Sequence, residues 1–453
     1  MKNLVLLSST LAMLLSGCGG SSDGANLALS TLSNNPIQID TLGSTTTSNP
    51  NQNQSTPLSP LGAPSNLKIE TISKNKIRLS WQDNATKEKA FCIYKDGEHI
   101  ATVEANKTSV EIGCLKSGET HTFSIKAIND DGASELVSIK GGINLYSQVK
   151  KIGSFDTQDE TYHVSVTNDG TKAFVGNWDG LIIYDISDPK NPKKIGSFNL
   201  DKFVWSIALS TDESKAFLAD DYKGLVILDV SDPENPKKIG SFDTANEAVN
   251  VTLSNDESKA FVADWHKGLF ILDVSDPANP KKIGHFDTED TVGSVTLLND
   301  GTKAFVADGE NGLVILDISD FSNPKKIGSF DTEGDTEAIT LSSDETKAFV
   351  ADGTSGLVIL DISDLSNPKK IGSFDTEDYA SDVAISSDET KVFVADAKNG
   401  LLIFDISDLT NIKLIKKIST NSDVFKVTLS SDESKAFIAT AKGVVIVDIS
   451  SLK

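Results

Sequence analysis

The sequence predicts an all-β protein: a β-sandwich followed by a seven-bladed propeller with four strands per blade. Three observations carry that reading. Lys-Ala-Phe or a close variant begins at Lys172, Lys215, Lys259, Lys303, Lys347, Lys391 and Lys435, in steps of 43, 44, 44, 44, 44 and 44 residues. The phrase GLVILDISD stands at 312–320 and 356–364, with near copies at 180–188, 224–232, 268–276, 400–408 and 443–450. Residues 63–140 have another texture: short alternating apolar runs, broken by Gly, Asn and Asp turns, without that period.

Repeats of about this length, each with four strand-like segments, are the mark of propeller blades. Each unit of 147–453 runs through an inner strand (VNVTLS), a polar turn (NDES), a second strand (KAFVAD) and a short loop. The repeated phrase is the third strand, followed by a turn (SDPENP) and a fourth strand (KKIGSFDT). The third strand is apolar at both parities, as expected of a sheet packed on both faces. Each buried Leu or Ile stabilises by ~1.5–3 kcal/mol, largely cancelled by ordering entropy, so one unit cannot stand alone. The periodic region opens on a fourth-strand segment, Lys150 to Phe155, and ends on a third strand, Val444 to Ile449. The first segment is therefore expected to complete the last blade and close the ring, which removes open sheet edges. The phrase GLVILDISDPxNPKKIGSFDT resembles the LVIVD repeat family of bacterial and archaeal surface proteins. That resemblance implies a propeller and brings no settled activity. The last unit departs from the pattern, with Asn411-Ile412-Lys413-Leu414-Ile415 in place of NPKKI and a shortened loop at Ala441-Lys442-Gly443.

Upstream, residues 63–141 read as six or seven short sandwich strands: NLKIETI, KIRLSW, AFCIYKDG, HIATV, TSVEI and HTFSIKAIND. Ala63-Pro64, Trp81, Phe91-Cys92-Ile93-Tyr94 and Leu115-Lys116-Ser117-Gly118 before THTFSIKA resemble the landmarks of a fibronectin type III module. The resemblance puts His121 where that family carries a corner tyrosine and implies a structural role for it. Cys92 alternates out of phase with Phe91 and Ile93, so it is expected to face solvent. A bridge between Cys92 and Cys114 and two separate thiols are both open in an oxidation-permissive setting.

Residues 1–17 read as a signal peptide: Lys2, an apolar run from Leu4 to Leu15, then small residues. Leu15-Ser16-Gly17-Cys18 resembles the lipobox of bacterial lipoproteins, which implies cleavage after Gly17 and lipid attachment at Cys18 with acylation of the new amino terminus. Several acyl chains, palmitate among them, anchor firmly. Residues 18–62 are then a lipid-anchored tether of Ser, Thr, Asn, Gln, Pro and Gly, expected to be disordered and to span roughly 35–40 Å. The expected location is the bacterial cell envelope. Gly19, in place of an aspartate that retains some lipoproteins at the inner membrane, leans toward the outer membrane or cell surface.

The chain carries 65 Asp+Glu against 42 Lys+Arg, a formal net charge of −23, which disfavours nucleic acid as a partner. Its histidines, His99, His121, His163, His266 and His285, occupy no repeated position and form no metal-ligand pair. No nucleophile elbow, Gly-rich phosphate loop, HExxH or CxxC is present. The aspartates that end the third strands (Asp185, Asp229, Asp273, Asp317, Asp361, Asp405 and Asp448) read as turn residues rather than metal ligands. No catalytic residue, cofactor or metal is therefore expected.

Sites are sought instead where the copies differ. A ring near the start of the inner strands reads His163, Ser206, Asn250, Ser294, Ala338, Asp382 and Lys426. It faces the expected central channel, where a ligand-facing rim and a plain solvated rim are both open, and Asp382 and Lys426 are placed to pair. The loop before the third strand carries Trp178, Tyr222 and Trp265 in blades one to three, and the inner-strand approaches add Tyr162, Phe203 and Trp205. These rings are expected side by side on one sector of one face, either gripping a sugar or protein or covering their own loops. The expected function is a non-catalytic binding or scaffold protein that engages a protein or glycan through one propeller face. The alternative is a propeller hydrolase or metal-dependent enzyme at the channel mouth around His163, Asn250 and Asp382.

Overall fold

The structure is a computed structural model and describes residues 61–453 apart from 74, 117, 118, 145, 147 and 201. The signal peptide, Cys18 and the tether lie outside the described residues. The chain divides into two compact units, Met1–Leu145 and Tyr146–Lys453. Both are all-β.

The first unit holds β1 (Ser65–Ser73), β2 (Lys76–Gln82), β3 (Ala90–Lys95), β4 (Glu98–Glu104), β5 (Ser109–Ile112), β6 (His121–Asn129), β7 (Gly132–Ala133) and β8 (Val137–Gly141). One sheet has the order β1-β2-β5; the other runs β4-β3-β6-β7, with β8 also on β6. Period-2 alternation turns Ile77, Leu79 and Trp81 of β2 toward Phe91 and Ile93 of β3 and Phe123 and Ile125 of β6. Trp81 and Phe91 meet with ring centroids 5.4 Å apart. His121 opens β6, and its Nδ1 lies 2.7 Å from Asp96 Oδ2, while Asp96 Oδ1 accepts the Thr122 N–H. The imidazole thus ties β6 to the β3–β4 turn, a structural contact. No disulfide joins Cys92 to Cys114, which corrects the bridge alternative. Cys92 sits in mid-β3 between Thr102 of β4 and Lys126 of β6, whereas Cys114 follows β5 in the other sheet. Cys92 is also half-buried rather than open to solvent.

In the second unit, four-stranded antiparallel sheets resembling propeller blades follow one another. The first comprises Thr161–Val166, Lys172–Asn177, Gly180–Asp185 and Lys193–Asn199. The inner strands of the others are Val204–Leu209, Ala248–Leu253, Ser294–Leu297, Ala338–Leu341, Ala380–Ile385 and Val424–Leu429. Every second strand starts at the lysine of its Lys-Ala-Phe motif or variant. In the sheet that begins at Val424, the fourth strand is β9 (Lys150–Asp156), paired antiparallel with Gly443–Asp448.

The two-sided apolarity of the third strand has a direct structural cause. Val226 and Leu228 pack with Phe174 and Leu181 of the preceding sheet, while Leu225 and Ile227 pack with Val262, Phe270 and Leu272 of the following one. All four are fully buried. The aspartate that ends the strand accepts two bonds from the serine two residues on, as Asp229 Oδ1 does from Ser231 N (3.0 Å) and Oγ (2.6 Å). That is turn chemistry. The glycine of KKIG is required by the next sheet: a Cβ on Gly196 would lie 1.9 Å from the Pro233 carbonyl oxygen, and one on Gly153 of β9 1.7 Å from that of Pro189. Lys416 takes this glycine's ladder position opposite Ile403 in the sixth sheet. There the next third strand runs into the short helix Ser450–Leu452 instead of a Pro-Asn turn, so no close backbone approach is required.

The second strands end on buried polar residues: Asn177, Asp220, Asp264, Asp308, Asp352, Asp396 and Thr440. They anchor the loops that follow. Asp220 Oδ1 accepts the Lys223 N–H at 3.1 Å, and Asp396 accepts Thr376 Oγ1 at 2.6 Å and Asn399 Nδ2 at 2.7 Å. Burial pushes all five of these carboxyls above their ordinary value, against smaller opposing contributions from neighbouring hydrogen-bond donors. Neither oxygen of Asp264 has a partner in hydrogen-bonding geometry.

Two outcomes are expected. Deleting residues 147–157 removes β9 and should lower Tm by more than about 5 °C, whereas a deletion of equal length within 19–62 leaves it unchanged; equal melting of the two truncations would contradict the role given to β9. A carboxyl with a raised native pKa binds its proton more tightly in the folded chain, so its ionisation erodes stability as pH rises through that native value. Asp264→Asn is therefore expected to raise Tm at pH 7, with the gain closing as pH falls to about 4. A lower Tm for the variant at pH 7 would contradict it.

Candidate functional site

The inner strands are joined to one another by side chains. Ser165 Oγ donates to the Ile207 carbonyl (2.8 Å), Thr252 Oγ1 to that of Val295 (2.8 Å), Thr296 Oγ1 to that of Ile339 (2.7 Å) and Thr428 Oγ1 to that of Val164 (2.6 Å). Two residues earlier, the varying ring adds a second set of links. Ser206 Oγ accepts the Val251 N–H (3.4 Å), Asn250 Oδ1 that of Val295 (3.3 Å) and Asp382 Oδ2 that of Val427 (2.9 Å). Asp382 Oδ1 is taken by Lys426 Nζ at 2.9 Å, so both oxygens of Asp382 are engaged. Asn250 Nδ2 lies 3.4 Å from Ser206 Oγ.

All these inner strands contribute to one cavity of about 270 Å³, and a second of about 380 Å³ adjoins it. His163, Asn250, Ser294, Ala338, Asp382 and Lys426 line both and form the neck between them. The expected rim residues thus converge on one opening, and the larger cavity is its mouth.

The wall of the mouth is set one residue before the rim position, where the copies read Tyr162, Trp205, Val249, Gly293, Glu337, Ser381 and Phe425. Three aromatics fall on inner strands linked in succession. Tyr162 lies 5.3 Å from Phe425 and 4.4 Å from Trp205, centroid to centroid, at 38° and 42°. Phe203 stacks beside Trp205 at 5.4 Å, and Trp178 meets Phe203 edge-on at 3.9 Å. Trp205 is oriented by its Nε1–H bond to Asp221 Oδ1 (3.2 Å), and Tyr162 by a hydroxyl bond to Glu160. Burial first, then that carboxylate, pushes the Tyr162 hydroxyl above its ordinary value. Trp178, at the outer end of the cluster, is 49 % exposed.

Polar residues line the mouth as well, Glu337, Tyr379, Asp382 and Asp423 among them. The Tyr379 hydroxyl lies between Glu337 and Asp335, 2.8 Å from Asp335 Oδ2. One phenolic proton cannot serve two carboxylates at once. Burial above all pushes the Glu337 carboxyl up to about 7.

The loop aromatics Trp178, Tyr222 and Trp265 share no ring contact with one another among the described residues, and of the three Trp265 lines the mouth. The rings that touch are mostly carried by successive inner strands. Tyr222 is 54 % exposed under the Lys202 ammonium, 4.7 Å from its ring centroid. Trp265 packs on a core cluster containing Val249 and Val292, yet also lines the mouth. Phe425 and Tyr379 were not among the expected site residues. Phe425 shares its repeat position with Tyr162 and Trp205, so reading that column would have found it. Tyr379 shares a column with Phe203, which was singled out for its ring.

His163 is 7 % exposed and lines the neck. Burial foremost, then the charge of Lys426, holds its imidazole well below the ordinary value, so it is neutral. Among the described residues no group of three His, Cys, Asp or Glu side chains is arranged to hold a metal ion.

Comparison with known proteins places this geometry in a family. The LVIVD repeat matches at 164–200, 204–244, 248–288, 300–332, 334–376, 378–420 and 433–452, together more than half of the chain. A fibronectin type III domain matches at 62–139. A search of curated proteins returns no match. Among solved structures, the chain is similar to the β-propeller domain of Myceliophteria thermophila Cps50 (Swd1), with TM-score 0.55 and 13 % identity over 66 % of this chain and 99 % of that one. It is also similar to a chain of the mitotic checkpoint complex, with TM-score 0.52 and 14 % identity over 66 % of this chain and 93 % of that one. At such identities the likeness speaks for the fold alone. The chain belongs to the LVIVD repeat family, its repeats forming a β-propeller behind a fibronectin type III domain.

Proposed function

We propose that this chain is a non-catalytic binding or scaffold protein of the bacterial cell envelope, which engages a protein or glycan through the mouth of its propeller. The observation that carries the reading is the mouth itself: a concavity of about 380 Å³ lined both by aromatic rings and by polar, acidic side chains. Concave sites of this size that combine apolar walls with a few convergent polar groups are the usual form of ligand sites. The propeller is seven-bladed, and β9 closes its ring. The pairing of β9 with Gly443–Asp448 and the Thr428–Val164 bond support that closure. Cys18 carries the lipid that anchors the chain, and the tether of 18–62 holds the folded domains off the membrane. The lipobox-like Leu15-Ser16-Gly17-Cys18 supports this. A hydrolytic reading around His163, Asn250 and Asp382 would first require Asp382 to release both Lys426 and the Val427 N–H.

Pull-down from envelope extracts with the full chain tests the reading. Trp178→Ala removes a half-exposed ring and is expected to leave Tm within about 2 °C of wild type while reducing capture about ten-fold or more, as truncation of a hot-spot tryptophan does. Tyr222→Ala, outside the ring cluster, is expected to retain capture. Equal capture by wild type and Trp178→Ala, or loss confined to Tyr222→Ala, would contradict the mouth as the site.

A further inference from the structure

We infer that the mouth and its neck accept a single neutral sugar unit, so that the partner engaged there is a glycan. The inference rests on the binding reading above and supplies the ligand's chemistry. It starts from two buried polar atoms in the neck. Ser165 has one hydroxyl proton and donates it to the Ile207 carbonyl at 2.8 Å. The contact of His163 Nε2 with Ser165 Oγ at 3.1 Å must therefore be donated by the imidazole. In a neutral ring that leaves Nδ1 as a bare acceptor, and it has no partner. Ser294 Oγ, on a residue 7 % exposed, has none either. A buried acceptor and a buried hydroxyl left unpaired are each destabilising, so the neck is built for a ligand that both donates and accepts.

Charge narrows the class further. The charges of the neck, Lys426 and Asp382, already neutralise each other at 2.9 Å, which leaves no net charge there for a charged ligand to balance. Glu337 and Asp423, which also line the mouth, disfavour an anion there. What remains is a neutral ligand whose groups donate and accept alike, and hydroxyls do both. Phe425 and Trp205, which flank the buried Tyr162 and line the mouth, supply the complementary surface: aromatic rings attract the positively polarised C–H groups on one side of a pyranose. A lone hydroxylated side chain would satisfy the neck but would leave that surface uncovered.

The test uses the full chain, with a glycan array of neutral oligosaccharides and with methyl glycosides of glucose, galactose, mannose and N-acetylglucosamine titrated by calorimetry and tryptophan fluorescence. A lysine-rich and a glutamate-rich peptide serve as charged probes. The expected result is saturable binding of at least one neutral glycan, weakened at least ten-fold by Ser294→Ala. That variant should fold normally, because Ala338 stands at the same ring position in another sheet. Weakening by Trp205→Phe, which keeps an aromatic ring, gives a second readout should Ser294→Ala alter stability. Preference for either charged peptide through the mouth would overturn the inference. If no neutral glycan binds while an envelope protein is still captured in a Trp178-dependent manner, the sugar inference falls and the binding reading stands. If neither is seen, both fall.

Discussion

The structure of the periodic unit depends on one arrangement: the inner strands of neighbouring sheets are joined by side-chain-to-backbone hydrogen bonds. A strand at the inner edge of a four-stranded sheet presents backbone groups that no neighbouring strand satisfies, and buried backbone groups left unpaired are costly. Here hydroxyls at one column donate to the next strand's carbonyl, at Ser165, Thr252, Thr296 and Thr428. Rim residues accept the next strand's N–H, at Ser206, Asn250 and Asp382. Each such bond contributes on the order of 1 kcal/mol net, more where a charged group takes part. Most of the residues that hold the sheets together, Ser206, Asn250, Thr252, Thr296 and Asp382, therefore also line the opening, and the chemistry of the site follows in part from the requirements of the assembly.

Packing elsewhere works to the same end. Alternate residues of each third strand enter the clusters on its two sides, so a sheet cannot bury its apolar faces without both neighbours. The KKIG glycine brings the fourth strand against the next sheet's turn. Against this stand the buried aspartates that end the second strands, whose ionisation opposes folding. They fix the roots of the loops over the mouth, and Asn177 and Thr440 show that a neutral residue fills the position equally well.

Much of this was legible in the sequence because repetition makes a column of residues visible. The Lys-Ala-Phe spacing marked every second strand to the residue, and the unbroken apolar run of GLVILD foretold burial on both faces. The displaced strand Lys150 to Phe155 foretold its pairing with Gly443–Asp448. The rim column His163 to Lys426 was also readable, including the partnership of Asp382 and Lys426. What escaped was decided by proximity across sheets. Trp178, Tyr222 and Trp265 occupy one loop position and look adjacent when aligned, yet it is Phe425, on the inner strand next to that of Tyr162, that joins the cluster, while Tyr222 meets Lys202. The burial of Asp264 and its counterparts has no local signal, since neighbouring elements impose it. The Cys92–Cys114 alternative failed because strand assignment alone did not say which sheet each would join.

The most direct test of the account is hydrogen exchange in wild type and Thr428→Val, a nearly isosteric change that removes the hydroxyl bonded to the Val164 carbonyl. The account predicts faster exchange confined to the strands Thr161–Val166 and Val424–Leu429, with Ser294–Leu297 and Ala338–Leu341 unchanged. Unaltered exchange in the first two strands, or a uniform increase across all four, would contradict it.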